Sequence, residues 1–472
     1  MAKRATKRSC FRGLTSIMLL VLAACTQDQR QGQGQTRSEA VSQTRSKGDD
    51  WPRFLGQSND GTSQEEGVDP DRWEPHPPIK WSVLLGTSYG GPTIVGSRLL
   101  QFDKEGADER VVCYDANDGS QLWHWRYPIE YADMYGYNSG PRCSPIVDEN
   151  RVYAYGVAGD LTCLDLETGK LVWHQQVSKK YGVVQNFFGV ASTPIVYEDL
   201  LLVMVGGSPS ESQHIPAGQL QLVKPNGTAI VALDKRTGEE KYRVGDELAS
   251  YSSVRVVRIH DQDLGLALVR GGLLAWEPRT GKQIFHFPWR ADMLESVNAA
   301  LPVVFNNQIL VSEAYEIGSA LLELDSSLQP QVLWQDQAKS RNPSFRAHWS
   351  TPVLIDGYLY GCSGRNQPDS DFRCIRWSDG ELMWRQRQHE RSSVLLVDGY
   401  LVVLGEYGRL SLVRPNPESY ETLREVDLSE IANPETGEPW LSYPCWAAPV
   451  LSHGLLYVRG DTRLICMELI PE

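Results

Sequence analysis

From about residue 51 to its end the chain is a succession of short apolar runs separated by polar turns, and five of the runs share one grammar. VVCYD, LTCLD, IVALD, LLAWE and FRCIR each lead into a turn where Asp115 and Gly119, Asp165 and Gly169, Asp234 and Gly238, Glu277 and Gly281, or Arg376 and Gly380 stand four residues apart. Four residues after each glycine comes a large aromatic: Trp123, Trp173, Tyr242, Phe285 and Trp384. This pattern predicts a β-hairpin. The acid accepts N–H groups of the turn, the glycine takes a positive φ, and a strand runs on each side.

Upstream of each hairpin a second strand pair recurs, opening on a small residue and usually a proline, as in CSPIVDENRVYAYG, STPIVYEDLLLVMV, ALPVVFNNQILVSE, STPVLIDGYLYGCS and AAPVLSHGLLYVRG. The openings number eight: Gly91-Pro92, Ser144-Pro145, Thr193-Pro194, Ser253-Val254, Leu301-Pro302, Thr351-Pro352, Ser393-Val394 and Ala448-Pro449. Four strands per unit and a period of roughly 40 to 50 residues indicate propeller blades. Helical repeats need a 3.6-residue periodicity that these segments lack. The predicted fold is therefore all-β, an eight-bladed propeller over 51–472. Its last unit stops one strand short, while PIKWSVL, with Trp81, is an orphan strand ahead of the first. That N-terminal strand is expected to complete the last blade and close the ring.

A blade cannot bury both faces by itself, so a bulky group at a fixed position is expected to dock each blade on the next. Trp81, Trp123, Trp173, Tyr242, Phe285 and Trp384 are read as these structural groups. Cys113, Cys163, Cys374 and Cys466 occupy one repeat position, where Ala232 and Ala275 stand in other blades. That exchange marks a small buried slot, because a free cysteine packs as a small hydrophobe. Cys362 and Cys374 fall on consecutive strands, and a bridge between them is an open alternative. No C-x-x-C or H-x-x-x-H spacing points to a metal site.

The N-terminus reads differently. Lys3, Arg4, Lys7, Arg8 and Arg12 precede an apolar stretch, Leu14 to Leu22, that is shorter than the roughly 20 residues a spanning helix needs. It ends in Leu22-Ala23-Ala24-Cys25, which resembles a bacterial lipobox, so 1–24 is expected to be a lipoprotein signal peptide and Cys25 the lipidated residue. Losing five positive charges and no negative one shifts the formal net charge from −13 to −18. So acidic a chain is a poor partner for nucleic acid. Residues 25–50, rich in Gln, Ser, Thr and Gly, read as a disordered tether.

ALDKRTGEEKY and CLDLETGKLVW resemble the repeat A-x-D-x-x-T-G-x-x-x-W of the PQQ-like, or quinoprotein alcohol dehydrogenase-like, β-propellers. DDWPRFLGQSNDGTS is similar to the W-P-x-F-R-G lead of a bacterial envelope group of such proteins, with Leu55 in place of the arginine. Lipobox, tether, eight blades and acidic charge together resemble the BamB-type lipoproteins of β-barrel assembly. Dehydrogenases of the superfamily use an Asp base, a calcium held by carboxylate and amide groups, and a vicinal disulfide over the quinone. This chain has no Cys-Cys pair and no C-x-x-C-H haem site.

No catalytic set and no cofactor are therefore assigned. The expectation is a periplasm-facing, lipid-anchored scaffold that binds other envelope proteins. Thr26, which is not the aspartate that retains lipoproteins in the inner membrane, favours the outer membrane. The alternatives are a dehydrogenase using pyrroloquinoline quinone with calcium at an atypical site, and a propeller that binds a glycan or other small ligand. The binding face is placed on the loops entering the innermost strands, with Tyr137, Arg142, Asn186, Tyr251, Asn298, Arg346, His348, Trp349, Arg391 and Trp446 as its candidate residues. Trp349 and Trp446 are expected to be exposed and able to stack on sugar rings. The insert 208–227 enlarges the third unit, with no role readable from its sequence.

Overall fold

The computed structural model describes residue 45 and residues 47–472. The signal peptide 1–24, Cys25 and most of the 25–50 segment lie outside the described residues. Eight four-stranded antiparallel sheets follow one another along the chain, giving the eight-bladed propeller. Blade one comprises Thr93–Val95, Arg98–Glu105, Asp108–Asp115 and Gln121–Pro128, and blades two to seven repeat that order. Blade eight combines Val450–Ser452, Leu455–Arg459 and Arg463–Glu468 with the N-terminal strand Ile79–Leu84, which pairs with Arg463–Glu468. The strand ahead of blade one and the last strand thus share one sheet, and the ring cannot open without breaking that ladder.

The hairpin grammar has a physical cause at each position. Asp115 Oδ1 accepts the Asn117 N–H at 2.9 Å, Asp165 Oδ1 that of Thr168 at 3.0 Å, and Asp234 Oδ1 those of Arg236 and Thr237 at 2.9 and 3.1 Å. Gly119, Gly169, Gly238, Gly281 and Gly380 have φ between +66° and +75°. Space matters as much as φ. A Cβ on Gly119 would lie 2.8 Å from the Trp81 ring, on Gly169 2.5 Å from Trp123, on Gly238 3.1 Å from Trp173, and on Gly281 2.3 Å from Tyr242. Each glycine is the floor on which the preceding blade's aromatic lies.

The same indoles are held at their polar edge. Nε1 of Trp81 donates to the Ala116 carbonyl at 3.1 Å, Trp123 to Leu166 at 2.9 Å, Trp173 to Lys235 at 3.3 Å and Trp384 to Asn416 at 2.7 Å. Tyr242 does the same with its hydroxyl, on the Pro278 carbonyl. Directly across the ladder from each aromatic is a small residue: Cys466 faces Trp81, Cys113 Trp123, Cys163 Trp173, Ala232 Tyr242, Ala275 Phe285 and Cys374 Trp384. The described cysteines are all buried and unbridged. Cys362 pairs with Phe372 and Cys374 with Tyr360, so the open Cys362–Cys374 bridge does not form.

Three joints depart from the rule. Trp384 keeps its bond to the Asn416 carbonyl, but the blade-seven turn between Arg409–Arg414 and Glu421–Asp427 has no glycine to lie beneath its ring. Blade five has no turn glycine; Leu328, at φ +60° and buried, takes the floor position beneath Phe285, and the pair packs without a hydrogen bond. The blade's own docking group is Trp334, whose Nε1 donates to Trp377 O at 2.9 Å and whose ring lies over Gly380. It escapes the sequence pattern because the turn before it, Asp325 to Gln329, lacks the marker glycine. Blade seven carries Arg424 opposite Leu412, and the turn Pro70–Trp73, with Trp73 buried, packs there instead. Apolar clusters fill each joint between neighbouring blades, the largest spanning blades seven, eight and one.

Residues 51–68 form a strap across one end of the hub. Trp51 exchanges backbone hydrogen bonds with Ile94 of blade one, Pro52 O accepts from Val147 of blade two, and Ser58 O accepts from Arg255 of blade four. Gly61 O accepts from Leu396 of blade seven, and Glu65 accepts the Gly454 N–H of blade eight. The packed segment begins earlier than the expected tether boundary at residue 50. Arg45 pairs with Glu468 at 2.9 Å, Asp49 O accepts from Ser452, and Asp50 accepts from Gly96 N and meets His453 Nε2 at 3.0 Å. Backbone carbonyls and two charged side chains, Arg45 and Asp50, anchor this stretch, so its polar composition does not keep it off the protein.

Burying one indole removes about 150–250 Å² from water, worth roughly 4–6 kcal/mol as an upper bound. Trp123→Ala should therefore lower stability by about 3–5 kcal/mol, and Trp123→Phe, which keeps the ring contact but loses the N–H donor, by about 1 kcal/mol. Gly169→Ala should be damaging although it only adds a methyl, since it collides with Trp123. Urea midpoints of the three variants check this order. A second joint responds to pH. Glu109 of blade one is buried, accepts the Tyr127 hydroxyl, and takes the Val157 N–H of blade two at 2.9 Å. Burial pushes its pKa from 4.5 up to about 7. Between those values the folded chain keeps a proton that the unfolded chain releases, so this contribution to stability is full below pH 4.5 and lost as pH rises to about 7. Glu109→Gln should flatten that part of the stability–pH curve, while Glu313, raised by burial to about 7, keeps its own share.

Candidate functional site

In each blade the antiparallel strands alternate in direction. Loops that enter the first strand and loops that join the second to the third consequently emerge at the same end of the ring. At that end the loops converge on a pocket of about 600 Å³ on the hub. Its lining includes Gly91 and Pro92, Ser144, Thr193, Ser253 and Ala447 to Val450, which start the first strands of five blades. Its other end is floored by Trp51, Phe54 and Leu55 of the strap. The hub is therefore a blind pocket with a single mouth.

Tyr137, Arg142, Tyr251, His348, Trp349, Arg391 and Trp446 all line this pocket. The other three candidates sit elsewhere. Asn186 lines a separate 220 Å³ cavity beside blades two and three, with its side chain on Phe187 N and Ala249 O. Asn298 is 1% exposed; its amide donates to Val269 O at 2.8 Å while its backbone carbonyl accepts from Tyr251 and Ser252, so it fixes the loop that carries Tyr251. Arg346 pairs with Asp369 at 2.6 Å outside the pocket lining. Trp349 and Trp446 are half-buried, not exposed as expected, because Trp446 Nε1 donates to Glu406 and the two indoles lie 6.3 Å apart in the wall.

Sequence reading missed Tyr89, Tyr315 and Arg365, which also line the pocket. Tyr89 is just ahead of the first blade opening at Gly91-Pro92. Tyr315 and Arg365 are on loops between second and third strands, and the strand alternation that defines the blades was the available signal for them.

The wall is mostly aromatic. Tyr89 meets Trp446 at 4.8 Å between centroids, Tyr137 meets Trp446 edge-on at 5.6 Å, and Phe188 meets Tyr251 at 5.4 Å. The Arg142 guanidinium stacks over Tyr89, Arg391 over Trp446 and Arg365 over Tyr315. Two of the three arginines are neutralised: Arg142 by Asp133 at 2.8 Å, and Arg391 by a two-pronged bond to Glu406. Burial alone would lower the Arg391 pKa, but the Glu406 carboxylate more than offsets it and the group lies above its ordinary value. Burial, with Arg391 and Arg365 nearby, drives His348 down to about 3, which leaves its imidazole neutral at pH 7. At the rim, Tyr135, Tyr137, Tyr407 and Tyr443 are each 43–53% exposed, and the last two stack at 5.0 Å.

Residues 107–327 match a PQQ-repeat family described as outer membrane protein assembly factor BamB. The outer membrane protein assembly factor BamB of Shewanella oneidensis is 21% identical over 410 residues, covering 84% of this chain and 89% of that protein. Among solved structures, the quinohemoprotein alcohol dehydrogenase ADHIIG of Pseudomonas putida HK5 superposes with a TM-score of 0.58 at 13% identity, over 89% of this chain and 80% of that one. The quinohemoprotein alcohol dehydrogenase of Comamonas testosteroni gives 0.50 at 13% identity, over 90% and 81%. The likeness to these two enzymes is one of fold. Their shared fold raises the question of a quinone with calcium, and the hub does not fit that pair. Its lining holds one carboxylate, the exposed Glu295, and one amide, Asn366, and among the described residues no three His, Cys, Asp or Glu side chains cluster. The chain is thus an eight-bladed β-propeller that over residues 107–327 is similar to the PQQ-repeat family.

Proposed function

We propose that this protein is a non-catalytic scaffold of the bacterial envelope, lipid-anchored through Cys25, facing the periplasm from the outer membrane and binding other envelope proteins at the mouth of its hub. The observation that carries this reading is the similarity to an outer-membrane assembly factor along 84% of the chain. The rim supports it. Tyr135, Tyr137, Tyr407 and Tyr443 offer flat amphipathic rings of the kind that anchor protein interfaces, with Arg391 and Trp446 directly behind them. The lipobox supports the anchor: several acyl chains at about 0.8 kcal/mol per buried methylene hold a protein firmly on a membrane.

Capture of the tagged full-length protein from detergent-solubilised membranes should recover outer-membrane assembly proteins, and Tyr407→Ser with Tyr443→Ser should reduce the yield severalfold. Recovery of no envelope protein, or dye reduction with alcohols after adding calcium and pyrroloquinoline quinone, would overturn the proposal. Cys25→Ser should shift the protein from the membrane to the soluble fraction, as judged by fractionation and immunoblot.

A further inference from the structure

The hub pocket is built for a ligand much smaller than a protein. At about 600 Å³ it falls within the range of small-molecule sites, and the strap leaves it a single entrance. The polar groups in its wall show what that ligand must bring. Most are already committed. Arg142 is held by Asp133 and Arg391 by Glu406, while the Tyr251 and Tyr89 hydroxyls accept the N–H groups of Phe188 at 3.0 Å and Asn138 at 3.2 Å and keep one O–H each to donate. A sugar, which carries a hydroxyl on nearly every carbon, would have to strip water from those hydroxyls against a wall that is mostly aromatic carbon and whose Arg142 and Arg391 are already paired. A flat ring has no such need and packs on faces and edges at the spacings these aromatics already keep.

Three uncommitted nitrogen groups bear most on that ligand. The Arg365 guanidinium lies 4.6 Å over the Tyr315 ring with no carboxylate at ion-pair distance among the described residues; Asp369, whose carboxylate approaches its backbone N–H, is paired with Arg346. Trp349 Nε1 and His348 Nδ1 are buried without a hydrogen-bond partner. Glu295, the carboxylate of the lining, is out on the rim and exposed, so the half-buried Arg365 beside Tyr315 and His348 carries a positive charge that no carboxylate of the wall matches. We propose that the hub pocket binds a small flat-ring carboxylate, its acid on the Arg365 guanidinium and its ring against the indoles of Trp349 and Trp446. No metal takes part, so the site is chemically distinct from one for a calcium-bound quinone.

Calorimetric titration of the isolated protein with 2-naphthoate and with its neutral counterpart 2-naphthamide tests this. The acid should bind one-to-one and the amide at least about tenfold more weakly, since a hydrogen-bonded charge is at stake. Arg365→Gln should bring the two ligands to equal affinity, and Trp349→Ala should weaken both alike. Equal binding of acid and amide by the unaltered protein would overturn the proposal without recourse to any variant. So would no saturable heat up to about 1 mM, or tighter binding of glucuronate than of naphthoate. The assay uses no envelope partner, so its outcome is separate from that of the membrane capture.

Discussion

The structure rests on one contact, repeated at most joints of a ring: the aromatic of one blade laid flat on the turn glycine of the next, with its polar edge on a backbone carbonyl three residues beyond that strand's small slot. Each part depends on the others. A side chain at Gly169 would occupy the volume of the Trp123 ring, and a large residue at Cys113 would push that ring off its floor. The acid that caps the turn holds the carbonyl where the indole can reach it. Where an element of this set is replaced, others change with it. Phe285, with no donor, sits on Leu328, and Arg424 gives up docking to an outside turn carrying Trp73.

A ring made this way has a hole in it, and the treatment of that hole distinguishes this chain. The N-terminal segment exchanges main-chain hydrogen bonds with blades one, two and seven and takes side-chain bonds from blades four and eight. It seals one end with Trp51, Phe54 and Leu55. The chain then supplies the strand that closes blade eight. One stretch of sequence thus performs closure twice, as a plug across the axis and as a clasp on the circumference. What remains open is a single aromatic mouth whose arginines are two-thirds neutralised from within.

The fold was largely legible in the sequence because every repeat must solve the same packing problem. The acid, glycine and aromatic keep fixed spacing since one hydrogen bond, one φ and one ring contact dictate it. Trp334 was not legible, as the turn before it reaches the same shape through Leu328 and has no glycine to mark it. The site was legible only in outline. Tyr137, Arg142, Tyr251, His348, Trp349, Arg391 and Trp446 share the pocket because the entry loops point to the axis, whereas Asn298 and Arg346, from the same loops, turn away to fix a carbonyl and a carboxylate.

The sequence by itself determined the eight blades, their four strands, the clasp and every docking aromatic but Trp334, all of which follow from local spacing that recurs. Tertiary structure alone decided that the Trp51 segment plugs the hub, that Tyr315 and Arg365 join residues far from them in the chain, and that Arg365 is left without the acid its neighbours have. Such facts depend on which loops meet across the axis. That is set by ring closure, to which no short stretch of the chain gives access.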